Sequence, residues 1–331
     1  MFRIYTREKH NAFSYPTFDS HRSSPHVSYM GATANYIPQA KVKDLAQRSD
    51  LWGAWLTFHV WAVVIGAMAI FILFPNLFTF ILAFLLIGSR QHGMAILMHD
   101  AAHGILFKTK ALNEFTGKYL LGAPYGGDLV GYRKYHLKHH RYAQSNLDPD
   151  LPLSSKFPVS KASLKRKLFR DITGQTFLRL RLATMKMKQG EKPDIEGSDA
   201  FQKTSPWPYL ITNAIIFGAL VLLGHWWVYF ALWLAPLMTW FFVVLRLRNI
   251  TEHAMTTFDD NPLTHARTTY TNVFEKVFFG PYWVNYHVEH HAYMFVPCYR
   301  LKALHKEMIG HHKLMEIKRG YLSVLRAATT I

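Results

Sequence analysis

LWGAWLTFHVWAVVIGAMAIFILFPNLFTFILAFLLIGS, residues 51–89, runs 39 residues without an Asp, Glu, Lys or Arg. A helix that crosses a bilayer needs ~20 apolar residues, so the stretch holds two crossings and a very short connection. Pro75-Asn76 marks the break between them, since proline stops a helix and asparagine starts one. A second uncharged run, Thr204 to Leu245, is 42 residues long and divides at Gly224-His225. Spans are therefore expected over residues 51–74, 76–99, 207–224 and 226–245. A soluble protein has no use for uncharged stretches of this length. The expected architecture is an all-α integral membrane protein with four transmembrane helices arranged as two hairpins.

The rest of the chain supplies the charge. Of 331 residues, 38 are Lys or Arg and 21 are Asp or Glu, a net charge of +17. That balance would ordinarily raise nucleic acid as a partner. With 24 Phe and 9 Trp, and with charge segregated from apolar sequence, no nucleic acid is expected. Residues 1–50 hold seven Lys and Arg, residues 104–205 nineteen and residues 246–331 eleven, while the hairpin tips hold none. Positive charge stays on the cytoplasmic side, which places both termini and the long middle loop there. The chain divides into a polar cytoplasmic segment (1–50) without a signal-peptide pattern, a central domain (51–310) and a C-terminal tail (311–331). No internal repeat stands out. Ser160 to Met187 mixes Lys165, Arg166, Lys167, Arg170, Arg179 and Arg181 with large apolar residues. That mixture suits a basic helix lying on membrane lipids with anionic headgroups, or a docking face for an acidic electron donor.

The lone cysteine, Cys298, excludes a disulfide framework, a cysteine-ligated zinc site and an iron–sulfur cluster. Nineteen histidines point elsewhere. His99-Asp100-Ala101-Ala102-His103 closes the second span, and His136-Leu137-Lys138-His139-His140 follows in the middle loop. Asn249-Ile250-Thr251-Glu252-His253 follows the fourth span, and His287-Val288-Glu289-His290-His291 lies further on. At this histidine content an HxxHH pattern arises by chance roughly 0.06 times per chain, so two copies are not accidental. On a helix, residues i and i+4 lie one above the other and i+3 nearly so. Each segment thus presents its imidazoles to one side. Nine imidazoles exceed what one ion takes, so two metals are implied. Imidazole suits Fe, Zn, Cu or Ni, and the pattern does not choose among them.

Taken together, these segments resemble the histidine boxes of the membrane fatty acid desaturase superfamily: HDxxH, HxxHH, NxxxH and HxEHH. The resemblance runs from the first span to about Leu304 and includes box order, hairpin spacing and a basic middle loop. It implies a four-span bundle whose helical cytoplasmic cap carries the boxes, two iron ions, O2 as co-substrate and two electrons from an external donor of the ferredoxin–reductase or cytochrome type. By box position, one iron is expected to take His99, His103, His136, His139 and His290. The other is expected to take His140, His253, His287 and His291, with Asn249 reaching it through a water. Three residues separate the histidines of the first box, as in the branch that includes acyl-lipid and sphingolipid desaturases, hydroxylases and carotenoid enzymes. Arg170 to Thr176 and Tyr282 to Pro297 resemble bacterial members close to the fatty acid decarboxylases that form 1-alkenes, which implies a bacterial inner membrane.

Taking hydrogen from an unactivated methylene needs a strong oxidant made from O2, and two metals can share the redox equivalents. Neutral imidazoles hold metals without adding negative charge, and their far nitrogens need partners that fix the rings. Asp100, Glu252 and Glu289 lie inside the boxes and are expected to serve there, with Asp148 and Asp150 close behind the second box. His92 lies two helical turns below His99 on the same face, ~10 Å deeper, and is expected to line the inner acyl or oxygen path. His305, His311 and His312 read as tail residues, and His265 and His225 have no partner at ligand spacing. The functional reading is O2-dependent oxidation of a fatty acid or acyl-lipid chain, desaturation first, with hydroxylation or oxidative decarboxylation to a terminal alkene second. A metal transporter would need ionisable residues well inside several spans, whereas the box histidines sit at or beyond span ends.

Overall fold

The computed structural model describes residues 36–186 and 205–330. The N-terminal segment through residue 35, and Met187 at the end of the basic stretch, lie outside the described residues. A short helix α1 (Gln39–Leu45) precedes the first hairpin, α2 (Asp50–Leu73) and α3 (Leu77–Ala102). Each long helix begins on a side-chain cap. The Ser49 hydroxyl accepts from the Trp52 N–H. Asn76 and Thr79 cap each other reciprocally, which starts α3 immediately after Pro75. Much of the surface of α2 is exposed and apolar, with Leu51, Trp55, Phe58, Ile65 and Leu73 bare. From Ile87 onward α3 is buried almost continuously to Ala102, so its C-terminal half is the centre of the molecule.

The middle loop returns as α4 (Leu129–Tyr142), capped by the Asp128 carboxylate. It then forms a helical pair, α5 (Lys161–Ile172) and α6 (Gln175–Lys186). The pair turns at Gly174, whose φ of 75° suits a residue without a Cβ. Next come α7 (Trp207–Leu222), a turn at Gly224 with φ 77°, and a continuous helical stretch from Trp226 to His253. This stretch carries a π-helical turn over Tyr229–Leu234 and ends in α8 (Trp240–His253). Beyond it lie α9 (His287–Ala292), α10 (Cys298–Glu307) and α11 (Tyr321–Ala327). Four short strands join distant segments: β1 (Val159–Ser160) runs parallel to β4 (Thr329–Thr330), and β2 (Thr268–Tyr270) runs parallel to β3 (Ile317–Arg319).

Among the described residues, three helices are long and apolar enough to cross a membrane: Asp50–Leu73, Leu77–Ala102 and Trp226–His253. The apolar helix Trp207–Leu222 is shorter, at 16 residues. The helix that carries the last expected span continues past residue 245 to His253, with Arg246 and Arg248 each paired to a carboxylate. The C-terminal segment supplies β3, α11 and β4 to the fold.

The helical pair is fastened to the last span by Asp171. This fully buried carboxylate accepts from Arg246 Nε, from Arg246 Nη2 at 2.9 Å and from the Thr176 hydroxyl at 2.6 Å. Breaking a buried pair by removing one partner costs about 3 kcal/mol. Asp171→Ala is therefore expected to lower the thermal unfolding temperature in detergent and to expose α5 and α6 to protease. Unfolding and proteolysis at wild-type rates would show that the pair is held by apolar packing alone.

Candidate metal centre

The four histidine segments converge. Nitrogens of His99, His103, His136, His140 and His290 all lie within 4.8 Å of one another, and those of His139, His253, His287 and His291 form a second such group. In the first group, His290 Nε2 stands 3.0 Å from His99 Nε2 and 2.9 Å from His140 Nε2, which is itself 3.0 Å from His136 Nε2. In the second, His287 Nε2 is 2.8 Å from His253 Nε2 and 3.2 Å from His291 Nε2. Ligand atoms held ~2.1 Å from one ion at right angles lie ~3 Å apart, so this spacing fits nitrogens gathered round a shared centre. The two groups touch, with the His140 and His291 rings 4.4 Å apart.

The grouping exchanges His139 and His140 relative to expectation, for a helical reason. The i,i+4 pairs stay together: His99 with His103, His136 with His140, and His287 with His291. In each HxxHH segment the middle histidine, at i+3, is rotated 100° from its neighbour and serves the other group. His139 thus crosses to the group of α9, and His290 crosses to the group of α3 and α4. α4 and α9 thus each feed both groups, while α3 feeds only the first and α8 only the second.

Burial sets the protonation state. It pushes the imidazoles of His103, His136, His140, His287, His290 and His291 well below the ordinary histidine range, and neighbouring imidazoles push the same way. Neutral rings keep the lone pair a metal needs. Several far nitrogens are tied down. His139 Nδ1 donates to Asp148 at 2.8 Å, and Asp148 is held by the Gln144 and Asp150 amides, each at 2.8 Å. His99 Nδ1 donates to Asp100 at 3.2 Å, whose other oxygen accepts from the Cys298 amide. His253 Nδ1 donates to the His265 carbonyl at 3.2 Å.

Glu289 faces away from the nitrogens. It accepts from the Thr268 hydroxyl at 2.6 Å and from His305 Nδ1, so it braces α9 from behind. Glu252 accepts from Arg248 Nε at 2.6 Å, with its second oxygen 3.6 Å from His287 Nε2. Asn249 is half-buried, one turn before His253 on α8. His92 is fully buried, its ring edge-on to Phe241 at 5.9 Å, and among the described residues neither ring nitrogen finds a hydrogen bond. Arg90 reaches the Val277 carbonyl at 2.5 Å and lies over the Tyr282 ring.

Two histidines read as bystanders are part of the surroundings. His305 is buried between Glu289 and the Tyr270 hydroxyl, 2.8 Å from its Nε2. His265 Nε2 lies 3.2 Å from His291 Nδ1, and His265 Nδ1 lies 3.2 Å from the Asp259 carbonyl. A carbonyl only accepts, so His265 Nδ1 carries the proton, and Nε2 of the neutral ring must accept from His291 Nδ1. The His291 lone pair is then on Nε2, facing the group. Neither residue shows box spacing, and only the folded loop reveals them. Losing such a bracing partner costs ~10–100-fold in metal affinity. His265→Leu is expected to show that loss in equilibrium metal titration, with His265→Gln restoring part; unchanged affinity in the leucine variant would contradict the role.

Sequence comparison now decides the family. The fatty acid desaturase family profile matches residues 75–315, which contain every box. The chain belongs to the fatty acid desaturase family. It is therefore an oxidoreductase, and its long apolar helices fit a membrane protein. Dihydrorhizobitoxine desaturase of Bradyrhizobium elkanii is 28% identical over 252 residues, covering 73% of this chain and 71% of that protein. The human sphingolipid delta(4)-desaturase/C4-monooxygenase is 27% identical over 250 residues, covering 72% and 68%; its mouse counterpart is 25% identical. The family implies a lipid or acyl substrate and metal-dependent oxidation, for which the two histidine groups are suited.

Proposed function

We propose that this protein is a membrane di-iron enzyme that oxidises a fatty acyl chain with O2, most readily by desaturation. The observation that carries the reading is the pair of adjoining all-nitrogen groups, five histidines and four, on elements from both halves of the chain. His99, His103, His136, His140 and His290 would hold one iron; His139, His253, His287 and His291 would hold the other, with Asn249 acting through a water. The irons, when bound, supply the redox equivalents that turn O2 into an oxidant for a C–H bond. For desaturation the balance is one O2, two external electrons and two protons, plus two hydrogens from adjacent methylenes, giving one double bond and two waters. Asp100, Asp148, Glu252 and Glu289 orient the boxes, and His92 lines the approach from the membrane side.

The setting belongs to the same proposal. Trp207–Leu222 makes a fourth crossing with the three longer helices, and the termini and the metal centre face the cytoplasm of a bacterial inner membrane. Basic α5 and α6 rest on anionic lipid, and electrons arrive from a ferredoxin–reductase or cytochrome-type donor. Hydroxylation, or oxidative decarboxylation to a terminal alkene, is the second reading. The name of the human relative joins a delta(4)-desaturase and a C4-monooxygenase, which supports a centre of this kind ending in either product. Mass spectrometry of lipids from a host expressing the protein tests the function. New unsaturated acyl chains are expected; an unaltered lipid and hydrocarbon profile, with O2 consumption no higher than in cells expressing a His139→Ala variant, would overturn it.

A further inference from the structure

The helix that carries the second box has two unlike faces. Leu129 to Leu147 holds Arg133, Lys134, Lys138 and Arg141 and no Asp or Glu. Around the axis of α4, Lys134, Leu137, Lys138 and Arg141 fall within about 100° of one another, on the side opposite His136 and His139. Those four are exposed, whereas the two histidines are buried. Leu137 is 41% exposed and sits at the centre of the face, with cations at i−3, i+1 and i+4. Arg133 belongs to the frame instead, giving Nη2 to Glu114 at 2.6 Å and Nε to the Ala102 carbonyl at 2.7 Å. Among the described residues, Lys134 and Lys138 meet no carboxylate.

This face lies directly outside the metal centre. His140, the i+3 neighbour of Leu137, is half-buried, and so is His103, whose ring lies 4.9 Å from that of His140. Gly104, the next residue, has open space where a Cβ would stand. The first histidine group therefore opens toward solvent at His103 and His140, and the width of one helix, ~10 Å, separates it from anything resting on Leu137. An apolar spot ringed by charge of one sign suits a steered, short-lived encounter, and electron-transfer contacts are small interfaces of that class. A lipid surface fits this face less well. Helix α5 exposes Phe169 and Ile172 among its cations, as a lipid-facing helix does. From Gly131 to Asn146, Leu137 is the one large apolar side chain exposed among the described residues.

Building on the acyl-oxidation reading, which needs two external electrons, we propose that the outer face of α4, formed by Lys134, Leu137, Lys138 and Arg141, docks a small acidic one-electron carrier, an iron–sulfur or haem protein. Each docking moves one electron: the carrier is oxidised by one and the metal centre is reduced by one. Two dockings supply the two external electrons of a turnover. The bare alternative is a solvated basic face with no partner.

The test measures equilibrium binding of two acidic probes, a [2Fe–2S] ferredoxin and the soluble haem domain of a b5-type cytochrome, to the purified, iron-containing protein. At low ionic strength at least one probe is expected to bind, with affinity falling as salt is raised. Lys134→Glu/Lys138→Glu should weaken that binding at least ~10-fold. Lys165→Glu/Arg166→Glu on α5 makes the same change in net charge and should leave the affinity near the wild-type value. If the α4 reversal fails to fold or to load iron, Lys134→Gln/Lys138→Gln takes its place, with a smaller loss in the same direction. Binding of neither probe by the wild type, unchanged affinity in the α4 variant, or equal losses in the α4 and α5 variants overturns the docking surface. Unchanged affinity together with loss of copurifying phosphatidylglycerol would mark the face as a lipid contact instead. In turnover, the KM for the carrier should rise in the α4 variant with kcat unchanged. If no acyl lipid is oxidised with any reductant, the proposed function fails, and the binding comparison still judges the docking surface.

Discussion

Changing His290 to alanine is expected to abolish turnover, by more than ~100-fold, and to strip metal from the first histidine group while the protein still inserts into the membrane. His290 Nε2 is the nitrogen that stands within 3.0 Å of both His99 and His140. It is also the sole contribution of α9 to that group, so its loss removes a ligand and unties α9 from α3 and α4. His139→Ala is the mirror case, removing the one nitrogen that α4 gives to the second group. Both rings are buried. Metal analysis and O2 uptake check the outcome together. Activity above a tenth of wild type in both variants would contradict the assignment of these nitrogens as ligands.

Electron supply is expected to be all-or-none. Each desaturation needs two electrons beyond those taken from the substrate. The sequence offers no GxGxxG after a strand for a dinucleotide or flavin, and a chain with one cysteine has no CxxCH for haem attachment. The purified, iron-loaded protein should therefore be silent with NADPH alone. Adding ferredoxin with its reductase, or a cytochrome-type donor, should restore turnover from zero. Oxidation of substrate by the lone chain with NADPH would mean that it carries a redox cofactor site of its own.

How much of this was legible beforehand depended on how local the physics is. The first hairpin was readable because its tip is self-contained: Pro75 breaks the helix and Asn76 with Thr79 restarts it, without tertiary help. The end of the last helix was not, because a rule that stops a span at the first arginine cannot see the Asp171 and Glu252 that receive Arg246 and Arg248. The histidine segments were found by spacing, and the same spacing carries the grouping seen in the structure. The i,i+4 pairs stay together and the i+3 rings cross over, whereas assigning ligands by box order split His136 from His140. His265 and His305 carried no local signal at all. Their roles come from a loop after α8 and a helix after α9, which meet the boxes only on folding.

Elemental analysis of the protein purified in mild detergent, with Mössbauer spectra of the same iron-57 sample, tests the central claim most directly. Two irons per chain in nitrogen-rich, magnetically coupled or closely adjoining sites are predicted, falling to one or fewer in His290→Ala. An active preparation that carries a single iron per chain, or that retains two in both His139→Ala and His290→Ala, would contradict a di-iron centre built from the two histidine groups.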